Sequence, residues 1–165
     1  ILMMPPPLEK EYHFPMVKPV FTFGLHSDAK ALREEVFVQE QGFQNEFGPE
    51  DDHSWSLVLY LDDHPIATGR ILEIDPETYQ IGRVAVRKEF RGKTVGTAVL
   101  KFLSTKARTL GARNIILNAQ LDKLPFYEKA GFAVSNDGLI NFDEGKSHVW
   151  MEKTLVRPKK KKKGF

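Results

Sequence analysis

The run Val84-Ala85-Val86-Arg87-Lys88-Glu89-Phe90-Arg91-Gly92-Lys93-Thr94-Val95-Gly96 passes from a β-forming segment through a basic turn into a helix start, and it decides how the rest is read. Beyond it Val95, Val99, Phe102, Leu103, Ala107 and Leu110 recur at helical spacing, and Gly111 stands where a C-terminal cap ends a helix. A helix N-terminus presents unpaired backbone N–H groups and the positive end of the macrodipole, so it holds a pyrophosphate wherever small residues let oxygens reach the main chain. Gly92 and Gly96 meet that need, and Arg91 and Lys93 add charge. The same residues also fit an exposed basic turn in which Gly96 serves packing. The complete Walker pattern and GxGxxG are both absent, which excludes an NTPase loop and a Rossmann fingerprint.

Working toward the N-terminus, Tyr79 to Val86 reads as the third strand of an antiparallel meander. Its first two strands are Ser56 to Leu61 and Ile66 to Ile74, joined at Asp62-Asp63-His64-Pro65. Phe43 to Asp52 has Gly48, Pro49 and four acidic residues, which is loop chemistry. Ahead of it Ala29, Leu32, Val36 and Phe37 predict a helix over 29–41, capped by Ser27 or Asp28 and stopped by Gly42. Toward the C-terminus, the buried-type strand Asn114 to Ala119 must lie beside an earlier strand after a right-handed crossover. A short helix, Phe126 to Ala130, starts at Pro125 and stops at Gly131, and Phe132 to Val134 and Ser147 to Leu155 read as final strands. The expected fold class is α+β: a mixed, mostly antiparallel central sheet flanked by helices.

With 165 residues, 41% of them apolar, the chain suffices for one compact domain. An N-terminal arm over 1–19, the domain over 20–156 and a basic tail over 157–165 are the expected divisions. No cysteine is present, so disulfides, thiolate nucleophiles and Cys-ligated metals are excluded, and a cytoplasmic location is expected. No apolar stretch approaches the roughly 20 residues of a membrane span. Arg157 and Lys159 to Lys163 carry six positive charges, and without them the net charge of +2 becomes −4. Such a run reads as a solvated tail, with nucleic-acid, anionic-surface or targeting roles as alternatives. An acidic body mildly favours cationic amines.

Arg91-x-x-Thr94-x-Gly96 between a strand and an amphipathic helix resembles motif A of the GNAT (GCN5-related) N-acetyltransferases, except that Thr94 stands where the family usually has glycine. The strand ending at Asn118-Ala119-Gln120, followed by Pro125-Phe126-Tyr127-Glu128-Lys129-Ala130-Gly131-Phe132, is similar to motif B. Arg33 to Gly42, and His148 followed by Met151, resemble the small ElaA-like branch, so the likeness spans about 28–153.

The resemblance implies the acyl-CoA N-acyltransferase fold and transfer of the acetyl group of acetyl-coenzyme A directly to an amine, either a small molecule or a peptide. From the residues themselves no metal, no specific nucleic acid and no membrane partner is expected; a homodimer is compatible with them. The backbone of Val84, Ala85 and Val86 would pair with the pantetheine arm, and Arg91, Gly92, Lys93, Thr94, Val95, Gly96 and Thr97 would hold the pyrophosphate. Asn118 would hydrogen-bond cofactor or substrate, or close a strand-end turn. Tyr127 is the expected general acid for the departing thiolate, with core packing as its alternative. Glu40, Asp52, Glu73 and His148 are candidates for contact with the amine and removal of its proton. Three of them also have a plainer reading: a solvated helix-face Glu40, a loop cap at Asp52, a structural His148. A non-catalytic coenzyme A-binding sensor and a nucleic-acid-associated protein using the lysine tail are the rival functions.

Overall fold

The computed structural model describes residues 17–92 and 94–155. The readings placed on residues 1–16, on Lys93 and on the tail therefore lie outside the described residues. Among the described residues the strands are β1 (Val17–Phe23), β2 (Ser54–Leu61), β3 (His64–Asp75), β4 (Thr78–Val86), β5 (Asn114–Gln120), β6 (Ala133–Val134), β7 (Ile140–Asp143) and β8 (Lys146–Thr154). They form one sheet in the order β1-β2-β3-β4-β5-β8-β6, with β7 also on β8. Only β4 and β5 run parallel.

Two strands lie outside the sequence-based reading. β1 begins at Val17, ahead of the expected boundary at 20, and pairs from Val17↔Leu61 to Phe23↔Trp55. As an edge strand it tolerates Pro19 within its length. β7 forms a tight hairpin with β8 through Glu144 and Gly145, whose φ values of 53° and 78° suit a two-residue turn.

Both faces of the meander are covered, so β2 and β3 are buried almost continuously. On one face lies α2 (Val95–Thr109), packing Val99, Leu103 and Ala107 against Leu57, Ile71, Ile81 and Ile115. On the other face lies α1 (Ser27–Arg33), packing Ala29 and Leu32 on Val58. The helix predicted over 29–41 changes pitch after Arg33. Glu34–Glu40 is a π-helix, closed by Gln41 N–H to Val36 O at 3.2 Å and followed by Phe43 N–H to Phe37 O at 2.8 Å. The wider turn carries Val36 and Phe37 onto Ala85 of β4 and stacks Phe37 on Phe43 at 5.8 Å.

That contact requires a change of face along β4. Tyr79 and Ile81 belong to the α2-side core, and so do Val84 and Val86, while Ala85 faces the π-helix. The switch is made by a bulge: Thr68 pairs with Ala85 but Arg70 with Gly82, one extra residue on β4, and Arg83 takes φ 54°.

A buried ionic network pins α1, the loop after it and this bulge together. Arg33, 1% exposed, donates from Nε to Glu46 Oε2 at 2.8 Å and from Nη1 to Asp51 Oδ1 at 2.8 Å. Arg70 Nη1 donates to the same Asp51 oxygen at 2.9 Å, and Arg83 Nε lies 3.0 Å from Glu46 Oε2. Burial pushes the Asp51 carboxyl up, but the hydrogen bonds from Arg33, the Gly48 amide and Arg70 outweigh it and hold it at about 2. Asp51→Asn leaves two guanidinium groups short of a buried anion, and should lower the unfolding free energy at neutral pH by about 3 kcal/mol. A carboxyl lowered from 3.8 to about 2 gives its full stabilisation above the higher value and loses it as pH falls through the lower. Urea unfolding of wild type and variant from pH 7 to pH 2 should show their difference shrinking below about pH 4.

Candidate active site

β4 and β5 pair only from Thr78↔Asn114 to Gln80↔Ile116. Beyond Gln80 and Ile116 the two strands separate, opening a cavity of about 750 Å³ at the carboxyl ends of this parallel pair. One wall is β4 from Gln80 to Val86; the other is Leu117, Asn118 and Gln120 of β5 with Trp150 and His148 of β8. At its mouth Gln120 Nε2 donates to Gln41 Oε1 at 3.0 Å.

One end of the cavity is the turn into α2. Arg91, Gly92, Thr94, Gly96 and Thr97 line it, while Val95 packs into the core. Gly92 takes φ 75° with open space around its Cβ direction, so the turn needs glycine for its conformation. Thr94 precedes the helix in the left-handed region, at φ 66°. Gly96 is there for space, since a Cβ would meet the Phe126 ring at 3.1 Å. Arg91 donates from Nε to Val86 O at 2.8 Å and from Nη2 to Glu40 Oε1 at 2.7 Å, so Glu40 stands as the ion-pair partner of the turn. Lys123 and Lys129 add positive charge nearby.

Tyr127, Asn118, His148, Arg83 and Glu46 also line the cavity. Tyr127 comes from the short helix α3 (Leu124–Lys129), its ring held edge-on by Phe126 at 5.0 Å and Phe132 at 6.2 Å. Burial pushes its phenol up to about 12. Asn118 exchanges two hydrogen bonds with Asn141 of β7, at 2.9 and 3.0 Å, which fixes its amide. Buried His148 has Nδ1 2.9 Å from Lys146 O. A carbonyl only accepts, so in the neutral ring Nδ1 carries the proton and Nε2 has the lone pair. Asp52 is exposed beside the buried Asp51, and exposed Glu73 accepts from Tyr79 Oη at 3.4 Å at the closed end of the β3–β4 pair. Neither lines the cavity.

Arg83 and Glu46 were missed as site residues because their link spans the loop after the π-helix and a bulge that no sequence periodicity marks. No group of three or more acidic or histidine side chains among the described residues is arranged to hold a metal, and none of the described helices is long and apolar enough to cross a membrane.

Comparison with known proteins agrees with this geometry. Residues 22–132 match the model of the acetyltransferase (GNAT) family. The uncharacterized N-acetyltransferase YjcF of Bacillus subtilis is 35% identical over 128 residues, covering 76% of this chain and 90% of YjcF. Among solved structures, a Lactobacillus plantarum protein superposes with TM-score 0.78 at 32% identity, covering 85% of this chain and 99% of that one. Escherichia coli ElaA superposes with TM-score 0.72 at 26% identity, covering 84% and 99%.

The two glycines of the turn should respond to opposite substitutions. At Gly92 the left-handed backbone decides, so Gly92→Asn should be more stable than Gly92→Ala, each costing about 1 kcal/mol relative to wild type. At Gly96 size decides, so Gly96→Ala should lose about 1 kcal/mol and Gly96→Asn more. Thermal unfolding of the four variants reads the order directly.

Proposed function

The chain belongs to the acetyltransferase (GNAT) family and is an acetyl-coenzyme A-dependent N-acetyltransferase; we propose that Tyr127 and His148 are the proton donor and acceptor of its reaction. The observation that carries the reading is the separation of β4 from β5, which leaves the Val84 to Val86 edge without a neighbouring strand on that side. An amide-bearing arm can occupy that edge as an additional strand would. The residues fit the cofactor: the turn before α2 supplies N–H groups and small residues for phosphate oxygens, with Arg91, Lys123 and Lys129 around them. Acetyl-coenzyme A supplies an activated acyl group as a thioester, which an amine attacks at carbon while the carbon–sulfur bond breaks.

Two proton movements accompany that exchange, and the cavity holds a group suited to each. The attacking nitrogen must lose a proton. His148 Nε2 faces no protein partner among the described residues, and its Nδ1–H is anchored on Lys146 O, so the ring is set to accept. The leaving sulfur benefits from a donor. Tyr127 is protonated throughout the neutral range, being pushed up to about 12, and donates a hydrogen bond to the departing sulfur. An ordinary thiol has a pKa of about 8.5, so the phenol passes its proton readily only when the same dry surroundings also raise the thiolate. Asn118 and Trp150 line the same cavity.

Tyr127→Phe keeps the ring and removes the hydroxyl, and should slow single turnover at least about tenfold with acetyl-coenzyme A affinity unchanged. His148→Gln should lower kcat/KM for the amine by about 10²-fold. Since Tyr127 acts in its protonated form and titrates near 12, the wild-type rate should show no falling alkaline limb up to pH 10. An unchanged single-turnover rate in Tyr127→Phe returns that residue to a packing role.

A further inference from the structure

The network behind the cavity is unequal in charge. Arg33, Arg70 and Arg83 bring three guanidinium groups, and Glu46 and Asp51 bring two carboxylates. Arg33 and Arg70 are buried and directed at those carboxylates, with side-chain exposures of 1% and 6%, whereas Arg83 is 29% exposed and lines the cavity. Its hold on Glu46 is also incomplete. Nε lies 3.0 Å from Glu46 Oε2 but outside hydrogen-bonding alignment, and Nη2 reaches Glu46 O only at 3.3 Å. One positive charge is thus left over in a poorly solvated wall, on the one arginine of the three that faces the cavity. Arg83 occupies the β4 bulge immediately before the Val84 to Val86 edge, at the end of that edge away from the Gly92 turn, and lines the cavity. A guanidinium with unused donors beside a cavity matches a carboxylate or phosphate oxygen pair.

We propose that the acceptor is an amine that also carries an anionic group, a carboxylate or a phosphate, and that Arg83 binds that group. This rests on the reading of the cavity as an acetyl-transfer site. The excess of guanidinium over carboxylate selects against amines that carry positive charge alone, including those among the cationic amines that the net charge of the body mildly favoured: the local field, in a wall of low dielectric, outweighs distant screened surface charge. Asp143, exposed at the end of β7, also lines the cavity and can meet the ammonium end of such a zwitterion.

Three matched pairs test this with the full chain: glycine and glycinamide, β-alanine and β-alaninamide, 2-aminoethyl phosphate and ethanolamine, with putrescine as a polycation. Coenzyme A release from acetyl-coenzyme A is measured, together with the melting shift each compound produces on the coenzyme A-loaded protein. The anionic member of at least one pair should exceed its neutral partner at least tenfold in kcat/KM, or be the only one of the two to raise the melting temperature. The carboxylate and phosphate pairs report separately which anion fits. Arg83→Gln should reduce that preference to within about threefold while coenzyme A still binds, and Arg83→Lys should retain part of it. If Arg83→Gln does not fold, the wild-type panel and Arg83→Lys decide. Equal or better use of the neutral partners or of putrescine, no response to any anionic amine while coenzyme A binds, or an unchanged preference in Arg83→Gln overturns this inference alone. Failure to bind coenzyme A at all overturns the acetyl-transfer reading, and this inference with it.

Discussion

Five linked charged side chains, four of them buried and Arg83 partly open to the cavity, set the terms for the rest of this structure. Isolated burial of any one of them would cost several kcal/mol, so each must be satisfied by the others. Asp51 can accept from both Arg33 and Arg70 only where the loop after the π-helix lies flat against β3. Glu46 can reach Arg33 and Arg83 only where β4 bulges toward that loop. The π-helix, the loop and the bulge are three irregular features, and each appears where the network attaches. Mutual satisfaction of charge, more than helix or strand preference, holds this side of the cavity in one shape.

On the opposite side the constraint is much softer. Arg91 and Glu40 form an ion pair at 2.7 Å, with side-chain exposures of 42% and 31%. Pairs so open to water contribute at most about 1 kcal/mol. The pyrophosphate proposed for this turn, with one negative charge on each phosphate, would offer Arg91 at least as much as Glu40 does, so exchanging one partner for the other would be inexpensive. The pair holds the basic turn against the end of the π-helix. The rigid wall at Arg83 and the softer turn at Arg91 differ because one set of charges is largely buried and the other is wet.

Much of this architecture was legible in the sequence. The meander, α2, β5 and the short helix after Pro125 announce themselves through periodicity, turn residues and Gly or Pro punctuation, signals that depend on neighbours along the chain. The basic Gly92–Gly96 turn was legible for the same reason. What escaped depends on contacts across the chain. Asp51 and Asp52 are alike in sequence, and only the fold buries one and exposes the other. Edge position rescued Pro19 for β1, and pairing with β8 made a strand of Ile140 to Asp143. The change of pitch after Arg33 leaves the apolar spacing of the helix nearly intact, so periodicity passes over it. Among the proposed base candidates, composition could not rank His148 above Glu73; the choice needs to know which of them looks into the gap between β4 and β5.

The bulge at Arg83 also limits how this chain can vary in length. By inserting one residue it reverses which side of the sheet every later position of β4 faces. Deleting a single residue there would restore a regular ladder and turn Val84 and Val86 toward the π-helix, with Ala85 against α2. The strand would then be smoother, and every contact beyond it would be out of phase. Insertions and deletions in this segment are therefore tolerable only in pairs, so descendants of this sequence can change the residues around the cavity far more freely than they can change their count.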